Sequence, residues 1–215
     1  MIAWQEYLRF VVTLTAVLDP FLAVPIFLAV TGSSGHAARL RLARAVTLTV
    51  FAVLVGATVF GEALLGLLGA SVPAFRVGGG LVLLLMALAM LNAQPGAVRQ
   101  SRAEAEELQE RELARGELTG VVPLAVPLLA GPGAISTAIL AAESGGIGHV
   151  LALVGCIALV CGILWWVLRI ADAVEPRMGT TGLNIATRLL GLLLAAIAIQ
   201  TMAEGLRDLF PGLAY

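Results

Sequence analysis

The strongest constraint on this chain is a series of long stretches without a charged residue. They are residues 20–38, 45–61, 77–98, 118–142, 144–168 and 189–203. A helix needs about 20 mainly apolar residues to cross a bilayer core of about 30 Å. Only 13% of the chain is charged and 60% is hydrophobic, whereas soluble domains carry about 25% charged residues. The sequence therefore predicts a membrane protein and excludes a soluble enzyme.

Extending these stretches into the flanking apolar residues predicts six transmembrane helices. We place them at residues 8–30, 43–66, 74–95, 118–142, 148–169 and 184–206. The first is expected to stay as a helix, because no basic region or small-residue cleavage site typical of a signal peptide accompanies it. The predicted fold class is an all-α polytopic membrane protein.

Arginine predicts the orientation, since all thirteen basic residues are arginines. Ten lie on or beside the connections between helices one and two, three and four, and five and six; only Arg9, Arg76 and Arg207 lie on the other side. Positive loops favour the cytoplasm. We therefore expect both termini outside and the charged tract at residues 99–117 inside.

An internal repeat divides the chain into three parts. A shift of 112 residues places Pro20 on Pro132 and Arg76 on Arg188. This predicts a three-helix repeat at residues 1–95, a charged cytoplasmic linker at 96–117 and a second repeat at 118–215. Because each repeat has an odd number of spans, the two would be inverted in the membrane, an arrangement common among secondary transporters.

Prolines near the middle of the first and fourth spans predict broken helices. Asp19 precedes Pro20, and Gly131 and Gly133 flank Pro132. Proline removes a backbone donor and clashes with the preceding turn, while glycine lets the chain unwind. Each half-helix that follows would direct its N–H groups towards the midplane, where they suit a carboxylate. Simple proline kinks are the alternative interpretation.

Asp19 is the only acidic residue in the middle of a predicted span. It is a candidate to bind a substrate ammonium or carry a coupling proton, or else it caps the second half-helix. Ser136 and Thr137, one turn after Pro132, are candidates to bind substrate, or else they donate to backbone carbonyls.

Arg76 and Arg188 open the third and sixth spans. They are candidates to attract a substrate carboxylate or to form gating ion pairs, with Glu62, Glu204 or Asp19 as possible partners. Alternatively, they extend to the lipid headgroups.

Other chemistries lack a motif. His36 and His149 are isolated, so no metal site is expected, and no sequence pattern of a hydrolase occurs. The net charge of −1 and the absence of a basic tract argue against nucleic-acid binding. We expect no enzyme activity and no cofactor, with H⁺ or Na⁺ as a possible coupling ion. The expected partners are the lipid bilayer and a small-molecule substrate, with a second copy of the chain as a further candidate.

The chain resembles the MarC family of bacterial inner-membrane proteins, also described as neutral amino acid transporters, over residues 8–208. The resemblance rests on the segments DPFLAVPIFL (19–28), AFRVGGGLVLLLMALAML (74–91), VPLAVPLLAGPGAIST (122–137) and TRLLGLLLAAIAIQTMAEGL (187–206). It implies transport of small neutral amino acids across the inner membrane. Some members carry asparagine at the position of Asp19.

These observations favour a secondary transporter of small zwitterions that binds its substrate between the two breaks. The residues expected there are Asp19, Pro20, Gly131, Pro132, Gly133, Ser136 and Thr137, with Arg76 and Arg188 as gating or charge-pairing residues. The alternatives are an exporter of another solute or ion, and a scaffold or regulatory protein that docks partners on residues 99–117.

Overall fold

The computed structural model describes residues 3–31, 35–67, 69–92, 129–143 and 145–211. Seven helices form within these ranges. They are α1 (Ala3–Leu18), α2 (Pro20–Thr31), α3 (His36–Leu67), α4 (Val72–Leu91), α5 (Pro132–Ala142), α6 (Ile147–Arg169) and α7 (Ala171–Leu209). The charged linker and the first part of the predicted fourth span lie outside the described residues.

Five helical segments are long and apolar enough to cross a membrane. They are Trp4–Leu28, His36–Leu67, Val72–Leu91, Ile147–Arg169 and Thr181–Leu209. These confirm an all-helical membrane protein and match the first, second, third, fifth and sixth predicted spans. Of the fourth, only the short apolar helix α5 is described, so the count of six stays a prediction.

Large apolar side chains cover the outside of the bundle as well as its core. On α4, Leu81 and Leu85 are 48% and 59% exposed, whereas Leu83 is 2% exposed. An exposed apolar belt of this kind suits contact with lipid rather than water. The inward-facing residues therefore have to be packed by shape, because lipid tails are as apolar as the side chains themselves.

α4 and α7 pack closely along glycines and run in opposite directions. A methyl group added at Gly80 would lie 2.5 Å from Met202 Cγ, and one added at Gly191 would lie 2.7 Å from Met90 Cβ. Successive residues of α4 therefore contact residues of α7 in the reverse order, so the two helices are antiparallel. The last part of α7 is a continuous helix, but Gly179 breaks the earlier part with a φ of 60°.

The two helices that follow the predicted breaks pack on opposite halves of the chain. α2 contacts α6 and α7, whereas α5 contacts α3 and α4. Gly61 on α3 and Gly79 on α4 leave room for α5, since added methyl groups would meet Ile139 and Ser136 respectively. The inverted repeat predicts that the helix after each break packs on the other repeat, although the symmetry itself stays a prediction.

Candidate functional site

The first break lies at Asp19, between α1 and α2. Its φ of 35° is in the left-handed region, which is uncommon outside glycine. The Asp19 Oδ1 atom accepts a hydrogen bond from the Leu22 N–H at 3.2 Å, and the Asp19 carbonyl accepts from Ala23 at 3.1 Å. Asp19 is therefore the N-cap of α2, and Pro20 is its first residue.

Capping uses only part of the Asp19 carboxyl group. The residue is 4% exposed, and its second oxygen, Oδ2, is buried without a hydrogen-bond partner. The Thr187 side chain on α7 and the Phe21 N–H also donate towards this carboxyl group, and Thr187 is itself 6% exposed. The site thus holds a buried acidic oxygen that the helix cap does not satisfy.

The second break begins at Gly131, the N-cap of α5. The Gly131 carbonyl accepts hydrogen bonds from Ala134 and Ile135 at 3.0 and 3.1 Å, and no side chain caps this end. Pro132 is the first residue of the helix and is exposed, whereas Gly133 is buried. The local chemistry matches that of the first break, except that a glycine stands where Asp19 supplies a carboxylate.

The two breaks are close in space. A methyl group built on Gly133 would lie 3.4 Å from Cγ1 of Val17, which is two residues before Asp19. Leu83 Cδ2 would also lie 3.4 Å away, and the Met86 sulfur closer still. The breaks are thus neighbours, but the space beside Gly133 is packed and forms no hollow.

The two hydroxyl groups after Pro132 donate to the backbone of their own helix. Ser136 Oγ donates to the Pro132 carbonyl at 2.7 Å, and Thr137 Oγ1 donates to the Gly133 carbonyl at 2.8 Å. Each hydroxyl oxygen keeps lone pairs that can accept a hydrogen bond. Towards a ligand, both side chains therefore act as acceptors, which suits an ammonium group better than a carboxylate.

A cavity of about 210 Å³ opens beside α5 at the end of the bundle where α1 begins. Its lining includes both charge signs and several hydroxyl groups above an apolar base. The residues are Glu6, Tyr7, Arg9, Phe10, Thr13, Arg76, Leu83, Thr137, Leu140, Ala141, His149, Leu153, Ile197, Thr201 and Glu204. Of the residues predicted to form the site, Thr137 and Arg76 line this cavity, whereas the others do not.

Arg76 forms ion pairs at the mouth of the cavity. Its Nη2 lies 2.5 Å from Glu143 Oε2 at the end of α5, and its Nη1 lies 2.8 Å from Asp208 Oδ2 on α7. The predicted charge pairing occurs, but its partners differ from the suggested Glu62, Glu204 and Asp19. They differ because the ends of α5 and α7 converge on the start of α4.

The other cavity arginine, Arg9, is less tightly held. Its Nη1 lies 3.6 Å from Glu204 Oε1, and both side chains are about two-fifths exposed, at 40% and 45%. Arg9 is therefore better placed than Arg76 to meet an incoming carboxylate. Arg188, the counterpart of Arg76 in the repeat, is exposed on α7 and does not line the cavity.

His149 is a cavity residue that the sequence did not indicate. Its Nε2 lies 2.8 Å from the Ala141 carbonyl and its Nδ1 lies 2.8 Å from the Tyr7 hydroxyl. Because a carbonyl only accepts, Nε2 carries a proton, and in the neutral ring the Tyr7 hydroxyl donates to Nδ1. These bonds join α1, α5 and α6. A lone histidine at a helix end gives no sequence signal for contacts so distant in the chain.

At the opposite end of the bundle, Arg39 links the end of α2 to the start of α7. Arg39 Nε donates to the Thr31 carbonyl at 3.2 Å, and Arg39 Nη1 lies 2.5 Å from Asp172 Oδ1. The pocket that these helices enclose, lined by Arg39 and Asp172 among others, has a volume of about 10 Å³. This is about the space that one water molecule requires.

No group of three or more His, Cys, Asp or Glu side chains in the described ranges is arranged to hold a metal ion. The polar groups near the breaks are instead oxygen acceptors and backbone N–H donors. Together with the five span-length helices, they define an integral membrane protein with a polar, partly buried interior.

The family model for MarC family integral membrane proteins matches residues 4–210. The chain therefore belongs to the MarC family.

Its relatives are membrane proteins that match over nearly their whole length. The chain is 34% identical to the UPF0056 membrane protein YhcE of Escherichia coli, covering 96% of this chain and 94% of the relative. It is 35% identical to the UPF0056 membrane protein YvbG of Bacillus subtilis, covering 93% of each. It is 37% identical to the UPF0056 membrane protein MJ1677 of Methanocaldococcus jannaschii, covering 89% and 91%. No solved structure matches the chain.

Proposed function

We propose that this protein is a secondary transporter of small neutral amino acids or similar zwitterions. The observation that carries the proposal is the cavity of about 210 Å³ beside α5, which combines cationic, anionic and hydroxyl groups. Pockets for drug-sized ligands are larger, at about 300–1,000 Å³. The small volume and the mixed charges favour a small solute that carries both signs of charge.

The chemistry of the lining supports a zwitterion. The loosely paired Arg9 can meet a carboxylate, while Thr137, whose hydrogen is already donated, can accept from an ammonium group. In this proposal the substrate then moves from the cavity to the breaks. There the positive end of α5, behind Gly131 and Pro132, attracts its carboxylate, and the side chains packed beside Gly133 have to move to admit the substrate.

The arrangement of the described helix ends supports alternating access. A cavity of about 210 Å³ opens at the end where α1 begins, and at the other end Arg39 links the end of α2 to the start of α7. The antiparallel packing of α4 on α7, and the matching contacts of α2 and α5, support two inverted repeats that rock against each other. The open end would face the periplasm, with both termini, in a bacterial inner membrane.

Transport is tested with purified protein in vesicles, as exchange of labelled alanine or glycine. Thr137→Val removes the cavity hydroxyl without changing the side-chain volume much, and we expect the exchange rate to fall about tenfold or more. Thr58→Val is the matched control, because Thr58 is also buried and donates to a carbonyl four residues earlier. Thr58 does not line the cavity.

Three outcomes would overturn the proposal. The first is an absence of amino acid exchange by folded wild-type protein, and the second is equal exchange by the two threonine variants. The third outcome combines two results: scrambling residues 99–117 abolishes the cellular function of the protein, and cavity variants exchange amino acids at the wild-type rate. Together these results would favour the scaffold function. A melting screen over amino acids, antibiotics and ions would identify another solute, because a ligand that binds the folded state raises its stability.

A further inference from the structure

We infer that the first helix break holds a single monovalent cation, a proton or a sodium ion, on the Asp19 carboxyl group between α1, α2 and Thr187 of α7. Binding of this cation stands on the geometry of the break alone. Its role as the coupling ion rests on the proposed transport function.

The first argument is that only one of the two oxygen atoms of the Asp19 carboxyl group caps α2. Oδ1 accepts the Leu22 N–H at 3.2 Å and caps α2, but Oδ2 is buried and lacks a partner. An uncompensated carboxylate away from water is costly, and a buried acid in a membrane protein is a functional candidate by default. A bound cation removes that cost, whereas capping alone requires only one oxygen and would be served by asparagine.

The second argument is the polarity of the helix end that meets Asp19. α1 ends at Leu18, and the last carbonyls of a helix lack internal donors and carry the negative end of its dipole. Pro20 has no N–H, so the donor that would reach the Ala16 carbonyl in a continuous helix is missing. The N-terminus of α2 meets Oδ1 through the Leu22 N–H, whereas the carbonyl end of α1 adds further oxygen atoms, and those oxygens favour a positive charge.

The third argument is the type of atom that surrounds the site. Carboxylate, backbone carbonyl and hydroxyl oxygens, the last from Thr187, are ligands for hard cations. Unwound carbonyls and half-helix ends serve this purpose for Na⁺ and H⁺ in transporters with broken helices. The ion pairs of the described arginines Arg9, Arg39 and Arg76 are with Glu204, Asp172, Glu143 and Asp208 rather than with Asp19.

The tight packing around Asp19 favours a small cation over the ammonium group of a substrate. Asp19 is 4% exposed and does not line the cavity of about 210 Å³. An ammonium group would bring a carbon skeleton with it, and the neighbouring space at Gly133 is filled by Met86, Leu83 and Val17. A proton or a bare ion brings no carbon skeleton into this packed region.

The experiment measures cation binding without transport. Wild-type protein in detergent is melted in sodium chloride and in choline chloride of equal ionic strength, and its infrared spectrum is recorded between pH 4 and 9 in each. We expect either a higher Tm in sodium or a band from a protonated, buried carboxylic acid. Either signal should disappear in Asp19→Asn and persist in Glu62→Gln, which removes an exposed acidic residue of α3 that does not line the cavity.

Thr187→Val is the second variant, in case Asp19→Asn fails to fold. It should raise the sodium concentration for half of the Tm shift about tenfold, or move the pH midpoint of the carboxylic acid band. Absence of both signals in folded wild-type protein would overturn the inference, as would their persistence in Asp19→Asn. A Tm shift with amino acids but with no cation would also overturn it and assign Asp19 to the substrate ammonium.

Vesicles with imposed sodium or proton gradients then test coupling. The cation that binds in detergent should drive alanine accumulation in wild-type protein. If neither gradient changes alanine accumulation while exchange still occurs, the coupling role is overturned and the transport proposal stands. Absence of exchange with the cation signals intact would overturn transport and leave the cation site standing.

Discussion

Arg76 and Glu143 form an ion pair, with Nη2 and Oε2 2.5 Å apart, that fastens the end of α5 to the start of α4. At the other end of the bundle, Arg39 donates a hydrogen bond to the Thr31 carbonyl at the end of α2. Thr31 and Glu143 are separated by the same 112 residues that relate the two repeats. Each helix that follows a break therefore ends at an arginine, and the two arginines lie at opposite ends of the bundle.

Breaking the pair at the open end should loosen α5. We expect Glu143→Gln to lower the free energy of unfolding by about 1 kcal/mol or less, because both side chains are about one-quarter exposed, at 23% and 25%, and a surface ion pair contributes little. Transport kinetics should change more than stability if the pair controls closure of the cavity. Arg207→Gln is the control, since Arg207 is an exposed arginine at the same end of α7. A charge-swapped double variant, Arg76→Glu with Glu143→Arg, should restore part of the loss.

Breaking the pair between Arg39 and Asp172 should increase access to the small pocket beside it. We expect Arg39→Gln to speed the labelling of a cysteine placed at Leu40, which lines the small pocket, by an impermeant maleimide added from that side. The measurement uses a background in which Cys156 and Cys161 are alanine. Arg41→Gln, on the exposed side of the same helix, should label at the wild-type rate. Equal labelling rates in the two variants would mean that Arg39 does not restrict access to the residue at position 40.

The contact between Tyr7 and His149 should stabilise the cavity wall. Tyr7→Phe keeps the ring and removes one hydrogen bond, which is typically worth about 1 kcal/mol, so we expect a Tm lower by about 2–4 °C for a chain of this size. The shift should be much smaller in a His149→Leu background, where the acceptor is already absent. An unchanged shift there would show that Tyr7 acts through a different contact.

Glycine at residue 80 should be essential for the packing of α4 on α7. An added methyl group would lie 2.5 Å from Met202 Cγ and 3.0 Å from the Ala198 carbonyl oxygen. We expect Gly80→Ala to destabilise the protein by about 1–3 kcal/mol through overpacking. Gly78→Ala, two residues away with nothing within 4 Å of the added atom, should leave the Tm unchanged or raise it. Similar melting of the two variants would contradict the close contact.

Local features of the site were largely predictable. The end of α1 at Leu18 and the start of α5 at Pro132 follow from proline, which lacks an N–H wherever it stands. The five described spans followed from charge-free stretches because a charged side chain in hydrocarbon is costly, so its absence over about 20 residues is itself the signal. The alternatives for Ser136 and Thr137 were also both local, and the structure shows the hydrogen bonds to carbonyls.

The sequence by itself thus determined the five described helices of membrane-spanning length and the helix starts at Pro20 and Pro132, because each of these properties depends on one continuous stretch of chain. Only the tertiary structure decided that Arg76 meets Glu143, that Tyr7 meets His149, and that a cavity forms beside Thr137. Partners 67 and 142 residues apart are chosen by which helix ends converge. That convergence depends on the packing of all the helices together, which no short segment specifies.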